Sequence, residues 1–537
     1  MTRLAMLAST AGLHLAASAA AAMPKAEQLE ADGAVIGTIV LDKANIFDLD
    51  DPKENNWLYR WANRLHIVTT DRTIEKQLLF SQGDRYSKRL LDESARILRG
   101  RRYLYTAEVE PIRYQDGVVD VAVRTKDVWS LFPELSLARS GGENTTEIGL
   151  EEENLFGRGQ QIRYSHTNTV DRTSDTFDFI DPHLGRSWVS LNLSASDNSD
   201  GYSNLISAER PFHALDARWS AGLTLYDDDR RTRLYELGDE VAEFRHQREY
   251  HRAFYGWSKG LRGNWARRWS LGFVYDNNVF SEARDPVFPA AIPADRKLVY
   301  PYLGLEFVED RFTTSLNHDQ IGRTEDFRLG KRLALSLGWA NENLAADRDA
   351  LIYQVSAGRS YGSFDKTALI LSADLSGRIE GGQTANSLSS VSARLYHRQS
   401  EKRLFFVSIS GDYGHALDLD NPLELGGDSG LRGYPLRYQS GDARALLTIE
   451  QRYFTDWYPF RLFRVGGAIF FDAGRTWGDN PVGGESLGWL KDAGFGLRLS
   501  PTRGKSTKVL HLDVAFPLDG DDSIDDVQLL LEAKRSF

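Results

Sequence analysis

The chain has 537 residues, more than one ordinary soluble domain holds, which points to at least two units. Its net charge of −11 argues against a nucleic-acid binder, and with no cysteine neither disulfides nor thiolate metal sites contribute. Only 41% of residues are hydrophobic and mean hydropathy is −0.42. That average suits a soluble protein, but transmembrane barrels also keep it low by alternating lipid-facing and lumen-facing residues. Beyond the N-terminus there is no apolar run of about 18 residues, so a helical membrane protein is disfavoured. The 46 glycines, 22 tyrosines and 26 phenylalanines fit many strands with aromatic girdles.

Residues 1–22 read as a cleaved signal peptide: Arg3, a mostly apolar Leu4 to Ala16, then small-residue cleavage sites through Ala22. Residues 33–126 are mixed. Val35 to Ile46 is strand-like, and Thr73 to Phe80 reads as helical, with Ile74 and Leu78 on one face. Ser87 to Leu98 is a stronger helix that Ser87 is placed to cap, with Leu90, Leu91, Ser94, Ile97 and Leu98 in one stripe. Tyr105 to Tyr114 and Val118 to Arg124 form a hairpin through Gln115-Asp116-Gly117. A long insert, Asp48 to Thr70, precedes the first helix.

From about Pro133 the helical period gives way to period two, over residues 130–537. Phe495, Leu497 and Leu499 alternate with Gly494, Gly496 and Arg498; Leu510, Leu512, Val514 and Phe516 alternate with His511, Asp513 and Ala515. The second face carries charge that a dry core would not tolerate unpaired. About 400 residues of strands without helices or a linker suit one closed sheet, a transmembrane β-barrel, better than stacked soluble sandwiches. Roughly twenty segments are countable, an even number. Asp227 to Arg252 and Ser281 to Arg296 read as solvated surface loops.

Two motifs stand out in the last quarter: Gly426-Gly427-Asp428-Ser429-Gly430-Leu431-Arg432-Gly433-Tyr434, and Phe470-Phe471-Asp472-Ala473-Gly474. An Arg and an Asp in glycine-dense, strand-rich surroundings need each other and a shielded place to meet. Along Val465 to Gly474 the alternation puts Ile469 and Phe471 on one face and Phe470, Asp472 and Gly474 on the other. With the first face to lipid, Asp472 points into the lumen, a shielded place where an arginine such as Arg432 is able to bind it through two parallel hydrogen bonds. Gly427-Asp428-Ser429-Gly430 also resembles a serine-protease nucleophile motif, but no matching histidine and second aspartate accompany it.

These motifs resemble the BamA/TamA superfamily of outer-membrane assembly and secretion barrels (the bacterial surface antigen family). The small domain resembles a single POTRA repeat. The resemblance rests on Gly427 to Tyr434, on Glu450 in the following strand, and on Phe471-Asp472-Ala473-Gly474. Asn154 to Gly159, Asp181-Pro182, Ser500-Pro501 and Ala515-Phe516-Pro517 match further turns and strand ends, and Phe537, with Leu531 and Ala533 in register, the terminal barrel signal. Lys534 and Arg535 depart from that signal.

The resemblance implies a barrel of roughly sixteen strands and a loop-to-wall lock built of Arg432, Gly433, Tyr434, Gly427, Glu450, Asp472 and Gly474. It implies a non-enzymatic insertase or translocase in the outer membrane of a Gram-negative-type bacterium, with its POTRA domain in the periplasm. Its partners would be outer-membrane lipid, an unfolded polypeptide client and periplasmic chaperones, with no nucleic acid, metal or other cofactor. A passive porin and a structural surface protein are the alternatives; a plain porin needs neither a POTRA-like module nor an Arg-Gly-Tyr loop, and for a surface protein long outer loops would matter most. The barrel would open between a first strand at about Glu134 to Ser140 and a last at about Val527 to Phe537.

Overall fold

A computed structural model describes residues 23–283, 292–479, 486–504, 508–520 and 524–534. The signal-peptide reading and Phe537 fall outside these residues.

The N-terminal unit is a mixed sheet with helices on it. Helix α1 (Ala26–Ala31) leads into strand β1 (Val35–Ala44). Helices α2 (Trp57–Leu65), α3 (Asp71–Glu75) and α4 (Lys88–Arg99) follow, then strands β2 (Leu104–Gln115) and β3 (Val118–Asp127). The sheet order is β1-β3-β2, with β1 parallel to β3 and β2 antiparallel to it. Asp116 and Gly117, both at positive φ, make the tight turn. The core joins Ile36, Ile74, Leu91, Leu98, Val119, Val121 and Val123.

Three local expectations change. The first predicted helix shortens to α3, although Ile74 is fully buried as its spacing requires. Ser87 stands at the N-cap of α4 without a capping hydrogen bond. The insert contains a full helix, α2, capped by the Asn56 side chain, which accepts from Tyr59 N–H at 3.0 Å.

Among the described residues, twenty antiparallel strands close into one barrel, from Leu131–Ser140 to Gln528–Lys534. This is the number countable from the alternating segments, not the smaller one the resemblance implies. Leu135, Ile148, Leu271, Leu337, Ile409 and Phe495 face outward and exposed, whereas Asp472, Asp492 and Arg498 are fully buried inward. An exposed apolar belt around a polar lumen is the signature of a transmembrane barrel. Trp219, Trp257 and Trp269 are cross-strand partners on three adjacent strands and form a row of the kind found at membrane interfaces.

Asp227 to Arg252 is not a loop. It is the distal part of a hairpin, Trp219–Glu236 with Asp239–Arg262, turning at Leu237-Gly238. At about 3.3 Å per residue a 24-residue strand far exceeds the 9–11 residues a tilted strand needs to cross a bilayer, so this hairpin projects beyond the rim. Its charges pair across strands, as in Arg245 Nε to Asp229 Oδ1 at 2.8 Å and Arg248 Nε to Asp276 Oδ1 at 2.9 Å. Ion pairing on both faces hides the alternation that would mark a strand. Of the other expected loop, Ser281 and Arg296 lie in strands, and 284–291 fall outside the described residues.

The N-terminal unit docks on one rim, here the near rim. Thr73 Oγ1 donates to Gly157 O at 2.9 Å, and Glu93 Oε1 accepts Leu215 N–H at 2.9 Å. Arg99 Nε reaches Asp326 at 2.8 Å, and Arg503 Nη1 donates to Ile46 O at 2.6 Å. Gly157, Leu215 and Arg503 belong to separate near-rim connections and Asp326 to a short strand, Thr324–Arg328, so the unit is held across that mouth at several points.

Candidate functional site

The loop of residues 416–442 joins strands Arg403–His415 and Ala443–Phe454 at the far rim and folds into the lumen. A short ladder, Leu423–Leu425 against Gln439–Gly441, holds its base. At its tip, Leu431 N–H donates to Gly426 O and Gly427 N–H to Pro435 O, closing a compact knuckle. Leu425, Leu431, Tyr434 and Tyr438 pack together in full burial, so the polar tip is carried on an apolar foot.

Arg432 is the centre. Its Nε and Nη2 donate to the two oxygens of Asp472 at 2.7 and 2.9 Å, a bidentate fork, and its Nη1 donates to Glu450 Oε1 at 2.9 Å. The guanidinium lies 3.5 Å over the Phe470 ring. Burial works against its charge, but the Asp472 and Glu450 carboxylates outweigh burial and hold its pKa above the ordinary value.

The remaining residues of the expected lock converge here. Gly433 N–H donates to Asp492 Oδ2 at 3.0 Å, and a Cβ at Gly433 would come within 2.7 Å of Asp492 Cβ. Tyr434 Oη donates to Lys491 O at 2.7 Å and lies 2.9 Å from Asp519 O. A Cβ at Gly427 would stand 2.8 Å from Gly141 Cα, so glycine at this position permits a backbone-to-backbone approach. Gly474 leaves room for Leu425 and Leu431. Of the expected C-terminal signal, Leu531 pairs with Leu512 and Ala533 with Leu510 on the last strand.

The loop spans the join between the first and last strands of the wall. Among the described residues, strands Leu131–Ser140 and Gln528–Lys534 meet through one register pair, Leu531 with Arg139, whereas each pairs along its described length with its other neighbour. Gly427 touches Gly141, in the turn after the first strand, while Gly433 and Tyr434 hold Asp492 and Asp519 on the last strands' side. One loop therefore grips both sides of the seam.

The protein is similar in fold to three solved structures, each at 14% sequence identity. BamA from Haemophilus ducreyi lacking POTRA domains 1-3 aligns over 92% of this chain and 84% of its own, with TM-score 0.40. CdiB from Acinetobacter baumannii aligns over 93% and 73% with TM-score 0.45, and CdiB from Escherichia coli over 93% and 76% with TM-score 0.44. No protein-family model and no curated protein matches the sequence.

Several participants were not foreseen. Arg452 Nε donates to Glu450 Oε2 at 2.8 Å, and its Nη1 to His318 O at 2.7 Å, with Asp319 at 3.2 Å. His318 and Asp319 lie between the strands of an inner hairpin, Phe312–Leu316 with Thr324–Arg328, which enters from the near rim. Its Ile321 and Phe327 pack on Tyr396, Phe406 and Phe454 of the lumen wall. From the same hairpin Arg323 Nη2 donates to Leu104 O at 3.1 Å, and Asp326 takes the Arg99 fork. An unbroken series of polar contacts thus joins the N-terminal unit to Arg432 through Asp326, the hairpin, Arg452 and Glu450. The Glu450-Gln451-Arg452 spacing, two residues apart on one strand face, was the available signal for Arg452. Nothing in the sequence marked the hairpin as infolded.

Ser429 Oγ, in the protease-like motif, accepts Gly426 N–H at 2.7 Å and serves the knuckle. Among the described residues no group of three His, Asp or Glu is placed to hold a metal ion.

Proposed function

We propose that the chain is a non-enzymatic outer-membrane insertase or translocase. Residues 33–126 act as a periplasmic POTRA domain that receives unfolded polypeptide, and residues 130–537 form the barrel that assembles or secretes it. The observation that carries this reading is the seam between the first and last strands, which the Arg432 loop grips from inside on both sides and where the described residues hold one register pair, Leu531–Arg139. A barrel built only to conduct gains nothing from a loop that holds both sides of one seam. A barrel that must release strands sideways into lipid needs one, because an edge inside hydrocarbon leaves backbone groups unsatisfied until another strand pairs with them.

A client strand adds first to an outer strand of the small sheet, β1 or β2, by main-chain hydrogen bonds. Load on that unit reaches Asp326 and the inner hairpin, then Arg452, Glu450 and Arg432. Release of the Arg432 fork loosens the loop's grip on both sides of the seam. An N-terminal unit held across the near mouth at several points disfavours the passive-channel reading.

The test uses the absence of native cysteines. Arg139→Cys with Leu531→Cys places two thiols at a cross-seam register pair, within reach of a disulfide. Oxidation is expected to stop client assembly while heat-modifiable mobility of the barrel persists, and reduction to restore it. Full client assembly by the oxidised, crosslinked protein overturns lateral release.

A further inference from the structure

Helix α2, the insert of the N-terminal unit, has a face that nothing in the described residues covers. One side, Tyr59, Ala62 and Asn63, is turned inward. Tyr59 stacks on Phe47 with ring centroids 3.9 Å apart, and Asn63 exchanges two hydrogen bonds with the Phe47 backbone at 2.8 and 3.1 Å. The opposite side presents Trp57, Leu58, Trp61 and Leu65, with Trp57 73% and Trp61 54% exposed. At 100° per residue these four fall within an arc of about 100°, and the exposed Arg60 and Arg64 flank it on one edge. Two tryptophans and two leucines in water on a nine-residue helix make a surface that calls for a partner.

The surroundings identify that partner. The helix is pinned to the near rim of the barrel: Tyr59 donates to Phe460 O, and the Phe47–Tyr59 cluster packs against Leu462 and against Trp129, just ahead of the first barrel strand. Phe460 is 78% exposed, Trp457 in the same turn is exposed too, and Phe463 opens the next strand facing outward. Phe460 and Arg461 both sit at positive φ (53° and 54°), a conformation that non-glycine residues rarely adopt in succession and that presents Phe460 outward here. The apolar face of α2 is therefore continuous with the aromatic fringe of a wall that meets lipid.

We propose that α2 is an interfacial helix that rests on the phospholipid leaflet beside the near rim. Trp57, Leu58, Trp61 and Leu65 enter the headgroup–acyl boundary, and Arg60 and Arg64 meet lipid phosphates. The composition is that of helices lying in the membrane plane, with Trp and Leu on one face and arginines at its margin. The arginines add a preference for anionic lipid. Such a helix fixes the N-terminal unit against the bilayer next to the seam, since one anchor is Trp129 ahead of the first strand and the other is the Phe460 turn. The inference depends on the barrel spanning a membrane and not on client handling.

Because the chain has no cysteine, a single spin label reads this directly. Full-length Trp61→Cys, labelled and reconstituted in vesicles of phosphatidylethanolamine with phosphatidylglycerol, is compared with a lipid-facing control, Leu497→Cys, and a water-facing one, Arg113→Cys. Expected is an oxygen-to-nickel-chelate accessibility ratio at 61 close to that at 497 and severalfold above that at 113. Arg60→Glu with Arg64→Glu should lower the ratio, and so should phosphatidylcholine in place of phosphatidylglycerol. Leu58→Cys, on the same face, repeats the reading if Trp61→Cys fails to give heat-modifiable barrel. A ratio at both positions equal to that at 113 overturns the proposal. So does protection that appears only when an unfolded polypeptide is added, which would make the face a client-docking surface.

Discussion

Replacing Arg432 with alanine removes three charge-assisted hydrogen bonds and the contact with Phe470. The cost is set by what stays behind. Glu450 keeps Arg452, but Asp472, fully buried, loses the one guanidinium that forks onto it among the described residues. Taking one partner from a buried ion pair costs about 3–5 kcal/mol, and at this depth no screening discount applies. At about 1.4 kcal/mol per decade this moves the docked-to-undocked equilibrium of the loop by roughly two to four powers of ten. Limited proteolysis of residues 416–442 in the folded barrel tracks that population when opening is fast relative to cleavage. Arg432→Ala should therefore be cut faster by a large factor while the barrel stays inserted, with altered current fluctuations in planar bilayers. The double variant Arg432→Met with Asp472→Asn, which leaves no charge stranded, should recover most of the lost docking. A single variant cleaved within about threefold of wild type, or a double variant no better than the single, refutes the assignment of this pair as the loop's anchor.

Other outcomes follow from the same geometry. Gly433→Ala drives a Cβ to within 2.7 Å of Asp492 Cβ and 3.2 Å of Pro517 N, and should weaken loop docking by about 1–3 kcal/mol, read as faster loop cleavage. Asp326→Ala breaks the fork to Arg99, and hydrogen exchange should quicken in α4 and the inner hairpin together, by roughly 5- to 30-fold for a loss of about 1–2 kcal/mol. Burial raises the pKa of Glu93 despite the Leu215 N–H, Arg96 and Arg89 that favour its charge. A carboxyl raised on docking stabilises the docked unit fully below its free pKa and loses that contribution as pH rises through the docked value. Undocking of the N-terminal unit should therefore become easier as pH rises through that window, and Glu93→Gln should flatten the dependence.

Much of the architecture was legible because period-two alternation survives wherever one face meets lipid, as in the segments holding Leu497 and Leu512. It failed at Asp227 to Arg252, where both faces of a projecting hairpin meet water or other charges and no apolar face remains to count. The Arg432–Asp472 pair was readable because a lone charge on an alternating strand must point to the lumen and needs a partner. The role of Arg452 and of the inner hairpin depends on contacts between segments more than a hundred residues apart, such as Arg452 with His318, which no local pattern encodes. Helix α2 hid for a different reason. Its apolar residues lie on the outer face, so its stripe does not mark a core-facing helix.

The most direct test of the central claim pairs planar-bilayer recording of the full-length protein and of a variant lacking residues 33–126 with crosslinking of both to unfolded outer-membrane polypeptide. The account predicts fluctuating conductance and polypeptide trapped on the N-terminal unit of the full-length protein, with no trapping on the shortened one. A steady pore, identical in both and trapping no polypeptide, would contradict it.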